Sequence, residues 1–212
     1  MESKSLLSFR NILKNIDIIT ILVQNLIVFV IVSQAELVIT MVTVISFQWS
    51  ITRLSIVTLI SVVTSLILMK VIERNMKCDG INTYFLVVCS LIVSWILLIF
   101  LLVPTNFMVT DILQQTSIIF LALLFNIVLG YNVCAWSLVL LYFIVPAHSR
   151  SSVSGLRQAN LKFSTMIGFL LAAFTYSHSI FLYPVLIGCC FSLTVYLLVR
   201  RTAFFVKYNV HE

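Results

Sequence analysis

Residues 117–145 read SIIFLALLFNIVLGYNVCAWSLVLLYFIV, 29 positions without one Asp, Glu, Lys or Arg. An uncharged apolar run of this length is a membrane-crossing helix, because only a helix pairs all of its backbone groups within itself in hydrocarbon. Twenty residues already cover a bilayer core, so this helix must tilt or project beyond it. Working outward, the same pattern places further spans at about 17–38, 54–72, 83–103, 161–177 and 180–199. The first run stays apolar to about Phe47. The breaks fall at Gln48–Arg53, Lys70–Asn82, Pro104–Gln115, Pro146–Asn160 and a minimal turn at Ser177–Ser179.

Composition agrees. Of 212 residues, 61% are hydrophobic and 9% charged, and the mean hydropathy is +1.15. A soluble domain carries roughly a quarter charged residues, so too few are present here to coat a water-facing surface. Five Gly and three Pro leave no room for a disordered linker. Six spans of about 20 residues use about 120 positions, which excludes a separate soluble domain. The expected fold class is all-α: a polytopic bundle of six transmembrane helices over 16–199, with tails at 1–15 and 200–212.

The net charge of +6 would suggest a nucleic-acid partner in a soluble chain. Here the positions of the cations matter more, and no nucleic acid is expected. Lys4, Arg10, Lys14, Lys70, Arg74, Lys77, Arg150, Arg157, Lys162, Arg200, Arg201 and Lys207 fall on one side of the proposed topology, and only Arg53 on the other. The positive-inside rule then makes both termini cytoplasmic. The five cysteines at 78, 89, 134, 189 and 190 lack the spacing of a zinc site or a disulfide framework. No nucleophile elbow, zincin helix, P-loop or dinucleotide fingerprint is present, and His148 and His178 fall in connections on opposite sides. An enzyme, a metal and a cofactor are therefore not expected.

Polar residues within the spans are the candidates for function, since each costs free energy in hydrocarbon unless it is paired or faces water. Asn25, Ser33, Glu36 and Thr40 share a face of the first span, 25 and 36 lying about three turns apart. Glu36 reads as a proton-titrating or cation-binding group, or else as a carboxylate close to the outer interface. Thr58, Ser61 and Ser65 form a weak polar stripe in the second span. In the fourth, Asn126, Gly130 and Ser137 line one face and Asn132 and Trp136 another, where the asparagines either contact cargo or bond neighbouring helices. Ser164, Gly168 and Ala172 make a small-residue seam for close packing.

Two connections carry a resemblance. Pro146-Ala-His-Ser-Arg150-Ser-Ser-Val-Ser-Gly155-Leu-Arg157 resembles the connection after the tenth helix of major facilitator superfamily transporters. Lys70-Val-Ile-Glu73-Arg74-Asn-Met-Lys77 resembles that family's acidic-Arg-x-Gly-Arg loop, with Met76 in place of the glycine. The resemblance is to the C-terminal six-helix half. It implies a small-solute carrier working by alternating access, with its first and fourth helices lining a cavity; Asn25, Glu36, Asn126 and Asn132 are then the cavity candidates. It also implies a cytoplasmic latch of Glu73, Arg74, Lys77 and Arg150. The family's working unit has twelve helices, so the chain is expected to be a truncated or half form whose partners are the bilayer, a small solute and a second six-helix half or a second copy. The competing expectation is a six-helix subunit that moves nothing and serves assembly or regulation.

Overall fold

The computed structural model describes residues 14–75, 80–107 and 109–207. They form five α-helices and no strand: α1 (Ile16–Met41), α2 (Ile51–Asn75), α3 (Gly80–Asn106), α4 (Ile112–Ile144) and α5 (Arg150–Lys207). A π-helical stretch, Val42–Ser46, prolongs α1, and a 3-10 turn, Ala147–Ser149, leads into α5 after Pro146. Asn15 caps α1 by accepting the Asp17 N–H, and Asp111 caps α4 by accepting the Leu113 N–H.

Helix α5 is not one rod. His178 leaves helical geometry (φ −133°, ψ 37°) and divides it into α5a (150–177) and α5b (179–207). Contacts with α1 reveal a hairpin. The Asn160 amide donates to the Leu22 carbonyl, the Gln34 amide to the Thr175 hydroxyl, and Ser46 meets Tyr176, so α5a runs parallel to α1. Lys207 then returns to Asp17, so α5b runs back. The turn sits within the expected Ser177–Ser179 connection.

Five stretches are long and apolar enough to cross a membrane: Ile16–Ser46, Ile51–Asn75, Gly80–Asn106, Ile112–Ile144 and Ile180–Lys207. The expected span at 161–177 is not among them. Asn160, Lys162, Thr165, Thr175 and Tyr176 dilute its apolar residues, although α5a runs beside α1 from the level of Leu22 to that of Ser46. Two boundaries also move. The expected Pro146–Asn160 connection is helical from Arg150, and the expected tail at 200 is helical to Lys207.

The helices pack in related sets. Helix α1 lies against both limbs of α5 and against α4, while α4 lies against α2, α3 and α1. Exchanging α1, α2 and α3 for α4, α5a and α5b carries α2 on α4 onto α5a on α1, and α3 on α4 onto α5b on α1, whereas the packing of α1 on α3 has only a slight counterpart between α4 and α5. Chain directions invert in the exchange. Arg53 reaches Thr116 and Glu73 reaches Tyr131, so α2 and α4 run parallel, as do α5a and α1.

Small residues set the closest approaches. On α2 the buried positions Val57, Ser61, Ser65 and Met69 recur every four residues, and Ser61 Oγ lies 3.5 Å from the Phe120 carbonyl of α4. In the α5a seam Ser164 and Ala172 are fully buried, and a Cβ on Gly168 would sit 2.7 Å from both Ser33 Cβ and the Val30 carbonyl of α1. A methyl group there meets backbone, which cannot rotate away. Gly168→Ala is expected to cost about 1–3 kcal/mol and to lower the thermal midpoint in detergent. Gly188→Ala, with nothing within 4 Å of its new Cβ, should leave the midpoint unchanged.

Candidate functional site

The interior of the bundle holds a polar column carried by α1. Asp17, Gln24, Asn25, Ser33, Gln34 and Thr43 are all buried, a run of groups that hydrocarbon would tolerate only if covered by other helices. Each end of the column is tied to a different helix. The Gln24 amide donates to Ser90 Oγ of α3 at 2.9 Å, and Gln34 donates to Thr175 of α5a. Asp17 receives Lys207 and, at 3.6 Å, Arg200 from α5b. Beside them the Tyr84 hydroxyl of α3 donates to the Leu197 carbonyl, with Phe204 and Phe205 against its ring at 4.9 and 5.4 Å.

Several of these groups retain unused bonding capacity. Both amide atoms of Asn25, Oε1 of Gln24, Oε1 of Gln34 and Oδ1 of Asn126 are buried without a protein partner. Each such atom costs about 1–3 kcal/mol if nothing meets it. The amides of α1 and α4 are therefore equipped to accept and donate hydrogen bonds inside the bundle.

Asn25 and Asn126, expected to line a cavity, are buried, and Asn132 is half-buried. Glu36 departs from expectation. It lies on the same stripe of α1 as Asn25, about 16 Å farther along, yet it is exposed while Asn25 is fully buried. The covering of that stripe thins along the helix: Asn25 is enclosed, Phe29 and Val32 are half-buried, and Glu36 and Thr40 are open. Val32 faces Gly130 of the antiparallel α4, its Cγ1 3.8 Å from where a Cβ would stand. One turn on along both helices, Glu36 and Asn126 come to the same level. Glu36 stands five residues before the end of α1 and ten before the end of its π-helical extension, toward the Trp49 end of the bundle.

The latch residues are divided among partners. Glu73 accepts the Tyr131 hydroxyl of α4, and Arg74 is exposed. Arg150 turns away, donating to the Tyr142 carbonyl at 3.1 Å and lying over the Tyr142 ring. Lys77 lies outside the described residues. Glu73 and Arg150 thus both engage α4 rather than each other.

Sequence reading missed four groups. Gln24 and Gln34 flank the noticed Asn25 and Ser33, and their presence in an otherwise apolar run was the available signal. Asp17 stands at the first residue of the expected span, where nothing in the local sequence signals its burial. Arg157 was counted among the loop cations, but it is buried and donates to the carbonyls of Val133 and Cys134 in α4 at 2.8 and 2.6 Å. The small, polar run before it reads as a connection, and only its packing on α4 buries the guanidinium. Among the described residues no three His, Cys, Asp or Glu side chains gather to hold a metal ion, and Cys89, Cys134, Cys189 and Cys190 are free thiols.

The ionic tie at Asp17 makes an asymmetric prediction. Its carboxylate is 8% exposed, whereas Arg200 and Lys207 are 35% and 52% exposed. Asp17→Asn strands two cations that already touch solvent and should cost about 1 kcal/mol. Removing both cations (Arg200→Met with Lys207→Met) takes two counter-charges from a buried carboxylate and should cost about 3 kcal/mol. Thermal unfolding in detergent reads the difference. The chain matches no protein-family model, no curated protein and no solved structure.

Proposed function

We propose that this chain is one membrane-embedded half of an alternating-access carrier for a small solute, completed by a second six-helix half or a second copy. The observation that carries the reading is the exchange relation of the helices. Two three-helix units of opposite direction, with α1 and α4 packed together at their junction, form the arrangement of inverted repeats found in secondary transporters. In this reading α5a is a sixth crossing. Both termini lie in the cytoplasm, on the side rich in Lys and Arg. The resemblance of the 70–77 and 146–157 segments to major facilitator connections supports the same conclusion.

The chemistry of α1 and α4 fits a transport path. The amides of Asn25 and Asn126 offer neutral hydrogen-bonding groups, and Glu36 offers one carboxylate at the open part of their seam. Glu36 is then the coupling group. An exposed carboxylate within a membrane-crossing stretch such as Ile16–Ser46 is expensive against lipid, so it belongs on a face that another membrane element or water covers. Glu73 and Arg150 form the ends of a cytoplasmic latch that exchanges partners between access states.

A second reading draws on α2, which packs on α4 while Ile51, Leu59 and Ile67 stand 81%, 65% and 61% exposed. Such a helix suits a subunit that docks on a larger membrane protein and moves nothing itself. Uptake separates the two. In vesicles holding the chain with its natural partner half, Glu36→Gln should lower proton-gradient-driven uptake at least tenfold. Uptake indifferent to both the substitution and the gradient would remove the coupling role and favour the subunit.

Orientation has its own test. In a cysteine-free background, a cysteine at 75 should react only with a cytoplasmic reagent, and one at 107 only from the opposite side. Labelling with the sides reversed would overturn the topology and the carrier reading together.

A further inference from the structure

A cavity opens at the Trp49 end of the bundle, far from the α1 amides. It has a volume of about 560 Å³ and is lined by Ser46 and Phe47 of α1's end, Thr105, Asn106 and Phe107 of α3's end, and Thr110 before α4. Gln115 closes it from the α4 side. The volume falls in the ordinary range for small-molecule sites, about 300–1,000 Å³.

Its wall is built and held. The Gln115 amide donates to the Val109 carbonyl at 2.8 Å and accepts the Trp49 indole N–H at 3.1 Å, which fixes the connection before α4 against the end of α1. Trp49 is held in turn by Arg53, whose guanidinium lies 4.1 Å from its ring centre. The backbone beside the cavity is unusual at two points. Val42–Ser46 is π-helical, and Gln48 takes a left-handed φ of 51° although it is not glycine. Both features cost conformational energy and concentrate at functional sites.

The chemistry of the wall selects a class of ligand. Among the described residues no Lys, Arg, His, Asp or Glu lines it, so neither an ammonium nor a carboxylate or phosphate would find a counter-charge there in exchange for its water. The polar groups are the hydroxyls of Ser46, Thr105 and Thr110 and the carboxamides of Asn106 and Gln115; Ser46 also meets Tyr176, and Thr105, Asn106 and Gln115 donate to the Leu101, Leu102 and Val109 carbonyls, so these offer a ligand chiefly acceptor lone pairs while the Thr110 hydroxyl supplies a donor. Hydroxyls and carboxamides both donate and accept, as do the hydroxyls of a ligand. Phe47 and Phe107 add apolar faces for the C–H side of a ring.

We propose that this cavity binds an uncharged polyol. The site stands apart from the Asn25–Asn126 interior and does not depend on whether the chain transports. Equilibrium dialysis of the full chain in detergent micelles with radiolabelled myo-inositol tests it. Saturable binding is expected, displaced by unlabelled myo-inositol and by neither choline nor glutamate. Thr110→Val, on the exposed connection before α4, should weaken binding about tenfold, one hydrogen bond's worth, and Asn106→Leu should do the same. Because Asn106 also bonds the Leu102 carbonyl, that variant's folding is checked by its elution profile, and Thr110→Val carries the test if it misfolds. Absence of saturable binding, equal displacement by choline or glutamate, or unchanged affinity in Thr110→Val would each overturn the proposal.

Discussion

The flush crossing of α5a on α1 at Gly168 is the contact on which the remaining geometry depends. In lipid, helices gain little from burying apolar side chains against each other, so close backbone approach and interhelical hydrogen bonds must hold them. With α5a seated against Val30 and Ser33, Asn160 reaches the Leu22 carbonyl and Thr175 meets Gln34. The break at His178 then turns the chain back along α1, which lets Lys207 and Arg200 find Asp17. A residue without a side chain in the fifth pass thus aligns an ion pair between the two ends of the described chain.

That alignment encloses α1 and explains how one apolar helix carries a column of amides. Gln24 is satisfied through α3 and Gln34 through α5a, while Asn25 keeps both its polar atoms unmatched. Arg157 plays a related part on α4, where its guanidinium bonds two carbonyls of the helix near its point of contact with α1. Polar groups in this interior therefore serve two ends: some fasten helix to helix, and others remain able to meet a third species. The carrier reading relies on the second kind.

The two ends of the bundle differ in character. The Asp17 end is closed by ion pairs, the Tyr84 hydroxyl and stacked rings. The opposite end holds a polar, uncharged cavity beside strained backbone.

The all-α architecture and the membrane class were legible in the sequence by itself, because bilayer thickness and the absence of water impose run length and apolarity directly on composition. The turn at His178 and the packing seam through Gly168 were legible for the same reason, being local features of chain and side-chain size. Burial was not. Helices α1 and α4 carry apolar residues on every face, so no periodic face marks which side is covered, and Asn25 and Glu36 look equivalent three turns apart on one stripe. Only the tertiary structure separates them, by where α4 and α5a enclose that stripe. It likewise made Arg157 an interior group, since what surrounds a residue is set by its neighbours in space and its own sequence says only what it can offer them.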